Sequence, residues 1–308
     1  MRLGFSFLFI CIIIAIFNPE ITLQGATYGL STWLYGLVPT LLPFIILSNF
    51  ILSPEIFGML ENILPQGLKK HYVKFCVFFN IFAGFTFGLP VGAKITTNLL
   101  KNHQISPTQG QILLNNCNSI GPAFVGGFFL TKCIHKSEWF VLTLIILYVP
   151  QLCTSLFQLW RIPSFDRTIP SIEKKEISRF KNCFQILDIS ILNGFETIMI
   201  LGGYLLAFGI ICAYMAHISF LPHAIKVYLI SILEITSGIR ELSLLPTLTS
   251  VKYLLSMPLL TFGGLCTLMQ TKSIINGYRL SIKAYLCHKI IFSGITATIT
   301  MAIMLILC

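Results

Sequence analysis

The sequence predicts an all-α polytopic membrane protein, and three observations lead there. Over 308 residues only 10% are charged while 55% are hydrophobic, with a mean hydropathy of +0.84, where a soluble domain carries roughly a quarter charged residues. Apolar runs recur along nearly the whole chain, continuous and long enough for membrane helices rather than alternating like barrel strands. The 21 Lys and Arg sit singly or in small groups at the ends of those runs, so the net charge of +10 reads as topogenic charge and not as a nucleic-acid patch.

Residues 3–17 follow Arg2 and show no small residues at cleavage spacing before Asn18-Pro19, which predicts a retained N-terminal membrane helix within 1–27. Runs at 28–52, 75–100, 112–130 and 139–160 build a first half, 28–160, interrupted by a mixed segment at 54–71 that reads as an interfacial helix or loop. The polar stretch 161–181 holds six basic residues against three acids, which marks 161–185 as a cytoplasmic loop. Runs at 186–215, 225–245, 253–269 and 285–307 build the second half, 186–308.

Counting crossings constrains these runs. With Arg2 inside, five full spans before Arg161 would put the basic loop outside, so one run is expected to be re-entrant. The stretch 108–130, with its asparagines and Gly-Pro, suits lipid least. The same count makes 253–269 re-entrant and keeps Lys272, Arg279 and Lys283 inside, for about 7 full spans in all. Ser106 and Thr271 are the expected accessible flanks of the two re-entrant segments.

The halves follow one plan. Each starts with a long run expected to break near its middle, at Gly36 and Pro39 or at Gly202-Gly203. Each continues with Thr-x-Gly (Thr86-Phe87-Gly88; Thr236-Ser237-Gly238), a glycine-broken segment (Gly121-Pro122; Gly263-Gly264) and a final helix. Opposite starting sides make this an inverted repeat, the plan that sets a substrate site near the bilayer midplane.

No Gly-x-Ser-x-Gly, HExxH, P-loop or paired carboxylates at helical spacing occurs, and the ten cysteines form no CxxC. A non-enzymatic protein without cofactor or metal is therefore expected. The chemistry lies in polar groups inside apolar runs, which mark pathways or binding sites by default. In Gly88-Leu89-Pro90-Val91-Gly92-Ala93-Lys94, Gly88 and Pro90 unwind a helix and Lys94 offers an anion a charge, or snorkels to the interface. In Asn115-Asn116-Cys117-Asn118-Ser119-Ile120-Gly121-Pro122, amides and Ser119 flank a Gly-Pro break. In the third cluster, Thr236, Ser237 and Arg240 are candidate substrate contacts, Arg240 through its carboxylate-matching fork, or else the partner of a structural Glu–Arg pair. Glu234 and Glu196 are ion-coupling candidates, and Gln270 a further substrate contact.

These three stretches (88–94, 115–122 and 233–239), together with Phe262-Gly263-Gly264 before Gln270 as a fourth, resemble in register the signature stretches of the YlbJ-type sporulation integral membrane proteins of endospore-forming bacteria. The resemblance covers roughly 28–307; Leu89 departs from a commonly aromatic position and Ser237 from a commonly amide one. It implies a nucleoside-recognition Gate domain, related to concentrative nucleoside transporters, in each half. It also implies a multi-pass protein of the forespore membrane that moves dipicolinic acid, a pyridine dicarboxylate. The expected partners are the lipid bilayer and a small anion such as dipicolinate, with a homo-oligomer left open and no nucleic acid. A nucleoside permease and a non-transporting gate or assembly subunit are the alternatives.

Overall fold

The computed structural model describes residues 16–51, 53, 72–161 and 183–307, so nearly all of the expected N-terminal helix, the mixed segment 54–71 and most of the basic loop lie outside the described residues. Among the described residues every regular element is helical. Helix α1 (Pro19–Ser31) passes through a π-helical stretch (Thr32–Leu37) into α2 (Val38–Ile51). Then come α3 (Tyr72–Phe87), α4 (Val91–Lys101), α5 (Pro107–Cys117), the π-helical α6 (Phe124–Ile134) and, after one 3-10 turn, α7 (Phe140–Trp160). The second half holds α8 (Cys183–His217), α9 (His223–Leu233), α10 (Ile235–Ser243), α11 (Thr249–Phe262), α12 (Gly264–Ile275) and α13 (Ile282–Leu307).

The surface follows the composition. Leu192, Phe195 and Met199 on α8, and Ile290, Ile291, Leu305 and Ile306 on α13, are all exposed, while Asn80, Asn116, Asn118, Thr143 and Ser256 are buried. Apolar side chains outside and amides inside is the arrangement a lipid solvent selects, since unpaired polar groups are costly in hydrocarbon.

Among the described residues, four helices are long and apolar enough to cross a membrane: Ser137–Trp160, Cys183–His217, Thr249–Ile275 and Ile282–Ile306. A fifth arises if the pair Pro19–Leu37 and Leu41–Ile51, bent by 54°, is taken as one span. The expected N-terminal span at 3–17 lies almost wholly outside the described residues, and several of the other expected runs are broken into short limbs. Limbs α3, α4, α5, α6, α9 and α10 run 9 to 16 residues, short of the about 20 a straight crossing needs. The stretch expected to be re-entrant at 253–269 instead falls inside a 27-residue candidate span interrupted at Gly263. Its expected accessible flank, Thr271, is fully buried.

The expected break at Gly202-Gly203 does not occur, because α8 is one continuous helix of 35 residues. Gly202 there accommodates the Trp33 indole, whose Nε1 donates to the Ile198 carbonyl at 2.8 Å. Glycine weakens a helix by about 1 kcal/mol without breaking it when a neighbour fills the gap. The same face carries a backbone contact between α1 and α8. A Cβ added at Gly25 would fall 2.6 Å from Ile210 Cα, and one at Gly209 2.6 Å from the Gly25 carbonyl oxygen, so the small-xxx-small pair Gly25 and Gly29 lets the helices touch.

Candidate functional site

Three of the four breaks fall where glycine or proline stands and the fourth at Glu234, and the breaks meet in pairs. Between α3 and α4, Gly88 takes a left-handed φ of +80° and the Leu89–Pro90 bond is cis; Pro90, having no N–H, starts α4. Between α5 and α6 the chain unwinds over Asn118 to Gly121. These two breaks press together: a Cβ on Gly88 would run into the Gly121 backbone, and one on Gly84 or Gly92 into the Cys117 carbonyl. In the second half, α9 gives way to α10 at Glu234, and α11 to α12 at Gly263-Gly264, with φ of +84° and +87°. There a Cβ on Gly264 would lie 3.2 Å from Ile235 N and 3.4 Å from the Leu233 carbonyl oxygen.

The two crossings are neighbours. Leu89 reaches to 3.4 Å from the position a Gly263 Cβ would take. Asn118 ties the halves together: its Oδ1 accepts from Ala93 N on α4 (3.3 Å), and its Nδ2 donates to Thr271 Oγ1 on α12 (3.1 Å) and to Tyr285 OH on α13 (3.0 Å). Gln111 on α5 adds a second tie, accepting from Ser281 N at 2.7 Å while donating to Asn115 Oδ1 at 2.8 Å. Ala93, Leu114, Ile275 and Tyr285 form a small apolar cluster between the halves.

Unwound backbone at this depth needs its own partners, and side chains supply them. Tyr148 donates to the Ile120 carbonyl (2.7 Å). Ser119 donates to Gln151 Oε1. Glu234 is 3% exposed, and its carboxylate accepts from Thr236 N (2.9 Å), Ser237 N (2.7 Å) and Ser237 Oγ (2.7 Å). It thereby caps α10 and sits where the helix dipole favours an anion. Beside the first crossing, a cavity of about 10 Å³, lined by Ser119, Tyr148, Gln151 and Thr261 among others, matches one water molecule in size and polarity.

The structure thus brings Gly88, Pro90, Asn118, Ser119 and Gly121 to one crossing, with Pro122 half-buried next to it, and Glu234, Thr236 and Ser237 to the other. Asn116 is buried beside them, donating to Ile112 O (2.9 Å) and Gln158 Oε1 (3.2 Å). Gln270 is buried and donates to Cys266 Sγ at 3.4 Å. Arg240 is exposed at the edge of the second crossing, its guanidinium 5.5 Å from the centre of the ring of Tyr28, which also engages Ser237. The expected Glu–Arg pair is not formed, since the ion pair within 4 Å among the described residues is Lys136–Glu138. Lys94 is half-buried within electrostatic reach of Glu196, which is exposed on α8.

Sequence reasoning missed Tyr148, Gln151, Thr271, Tyr285 and Lys289. The first four look ordinary within apolar runs and gain meaning only through their partners. Lys289 carried a signal, a lone charge inside the run 285–307.

The comparisons place this arrangement. The sporulation integral membrane protein YlbJ of Bacillus subtilis (strain 168) is 23% identical over 263 residues, 80% of this chain and 62% of its own length. The chain is similar to that sporulation integral membrane protein over most of its length. It spans less than two thirds of the length of that relative. No family model matches it, and no solved structure does. It is a multi-pass membrane protein by its helices, and its relative is a membrane protein of sporulation.

Proposed function

We propose that the chain is a transporter that carries a small anionic solute, with dipicolinate as the best fit, across a forespore membrane. One observation carries the reading: two pairs of broken helices cross inside the bundle, side by side, joined by the buried Asn118. Broken helices deep in a membrane protein are stable only where protein or a cavity satisfies them, and transporters build substrate sites from such breaks. The succession of long run, broken segment, broken segment and final helix in both halves supports an inverted repeat of Gate type with about seven crossings. The name of its relative supports a role in sporulation.

A specific observation favours a second reading, a nucleoside permease. The groups at the crossings are mostly amides and hydroxyls, with Arg240 exposed, and such groups suit a sugar and a neutral base. Purified protein in liposomes, offered labelled dipicolinate and labelled nucleosides under proton and sodium gradients, separates the two. Dipicolinate entry above empty vesicles is the expected result. Entry of nucleosides alone favours the permease, and entry of neither without an added partner protein makes the chain an assembly subunit.

A further inference from the structure

One charge in the interior has no counterpart. Lys289 on α13 is 2% exposed and lies about 10 Å along the helix axis from Ile282, at the rise of an α-helix. Among the described residues no carboxylate comes within 4 Å of its ammonium, which donates no hydrogen bond there. Its contact is the face of the Tyr285 ring, 5.5 Å to the centroid. The titratable groups in its electrostatic reach are the Cys117 thiol and His288, neither of them a carboxylate. A cation–π contact offsets only part of what an ammonium loses on leaving water.

The position ties this charge to the crossing. Tyr285 hydrogen-bonds Asn118 from one helical turn before Lys289, so the ammonium lies over the ring that Asn118 anchors. Cys117, the last residue of α5, precedes the unwound stretch. On the residues next in sequence to Lys289 and Cys117, His288 Nδ1 and Nε2 and Asn116 Oδ1 are likewise buried without hydrogen-bond partners. Buried polar groups are nearly always satisfied in a working state, and a lone charge inside a membrane bundle marks a pathway by default.

We propose that Lys289 is the anchor for a carboxylate of a small organic anion that enters the crossing, with Asn118 and Tyr285 fixing its position. The inference rests on the anion reading above and names the residue that carries it. Neither Lys94 nor Arg240 fills this role, the first being half-buried beside Glu196 and the second exposed.

The test uses the detergent-purified full chain with three probes: pyridine-2,6-dicarboxylate, pyridine-2-carboxylate and the neutral pyridine-2,6-dicarboxamide. Calorimetric binding and ligand-induced shifts in melting temperature are read for wild type, K289M and K289Q. The expected result is that wild type binds the two acids and not the diamide. Both variants melt, without ligand, at or above the wild-type temperature, because they lose an unpaired charge, and bind the acids at least about tenfold more weakly, a loss of 1.4 kcal/mol or more. Unchanged binding in the variants, equal binding of the diamide, or no binding of either acid to wild type overturns the proposal. So does a melting temperature far below wild type in both variants, which makes Lys289 structural. Uptake is scored separately: binding through Lys289 without uptake sinks the transporter reading alone, and uptake unchanged in K289Q sinks this inference alone.

Discussion

At the scale of single residues, the interior is governed by which polar groups have partners. Asn118 has three side-chain bonds, and its backbone carbonyl accepts from Tyr285 OH at 3.3 Å. Interhelical bonds in membrane proteins average about 0.6 kcal/mol, but a buried group left unpaired costs about 1–3 kcal/mol. The second figure decides, because N118A strands Ala93 N. Its expected loss is about 2 kcal/mol, read as a lower thermal midpoint in detergent, while L192A on the exposed face of α8 changes it by less than about 0.5 kcal/mol. A midpoint for N118A equal to that of L192A removes Asn118 from its central place. Glu234 teaches a related point. A carboxylate inside an apolar run reads as an ion carrier, yet three donors within three residues engage it, and Thr236-Ser237 directly after Glu234 was the capping signal.

At the scale of elements, glycine decides where helices cross. Gly88 combines a positive φ with a Cβ position inside the Gly121 backbone, Gly264 has a positive φ with a tight but lesser approach to Ile235 N, and Gly203 on α8 meets nothing within 4 Å. A side chain in the left-handed region costs about 1–2 kcal/mol, so G264A is expected to lose that much and G88A distinctly more. G203A is expected to gain up to about 1 kcal/mol from better helix propensity. The order G88A, G264A, G203A in thermal midpoint, lowest first, checks the crossing geometry; G88A at the wild-type midpoint contradicts it. The start of α5 was equally legible, since Ser106-Pro107-Thr108-Gln109 forms a capping box, with Ser106 N donating to Gln109 Oε1 at 2.8 Å and Gln109 N to Ser106 Oγ at 3.3 Å. Where sequence reasoning failed was at Gly202-Gly203: a glycine pair marks a break or a packing groove alike, and only the Trp33 indole tells which.

At the scale of the whole molecule, class and order were legible because composition and run length are properties of the chain alone. Three of the breaks were legible because Gly88, Pro90, Gly121 and Gly263 stand out in apolar surroundings, while the break at Glu234, which has no adjacent glycine or proline, was not. The pairing of breaks across the halves was not, since Asn118, Thr271 and Tyr285 are separated by 153 and 167 positions and local pattern carries no such information. Those ties predict that cutting the chain within 162–182 leaves both pieces together. A tag on the first piece should retain the second in mild detergent, and separation there would contradict the shared interior. The contact of α1 with α8 carries this further. Two helices in backbone contact at Gly25, Gly29 and Gly209 cannot slide past one another without steric collision, so they behave as one lever. Any rocking that exposes the crossing alternately to the two sides must therefore carry α1 with α8, and the seam between moving and stationary parts runs through the folded bundle, not through the midpoint of the chain.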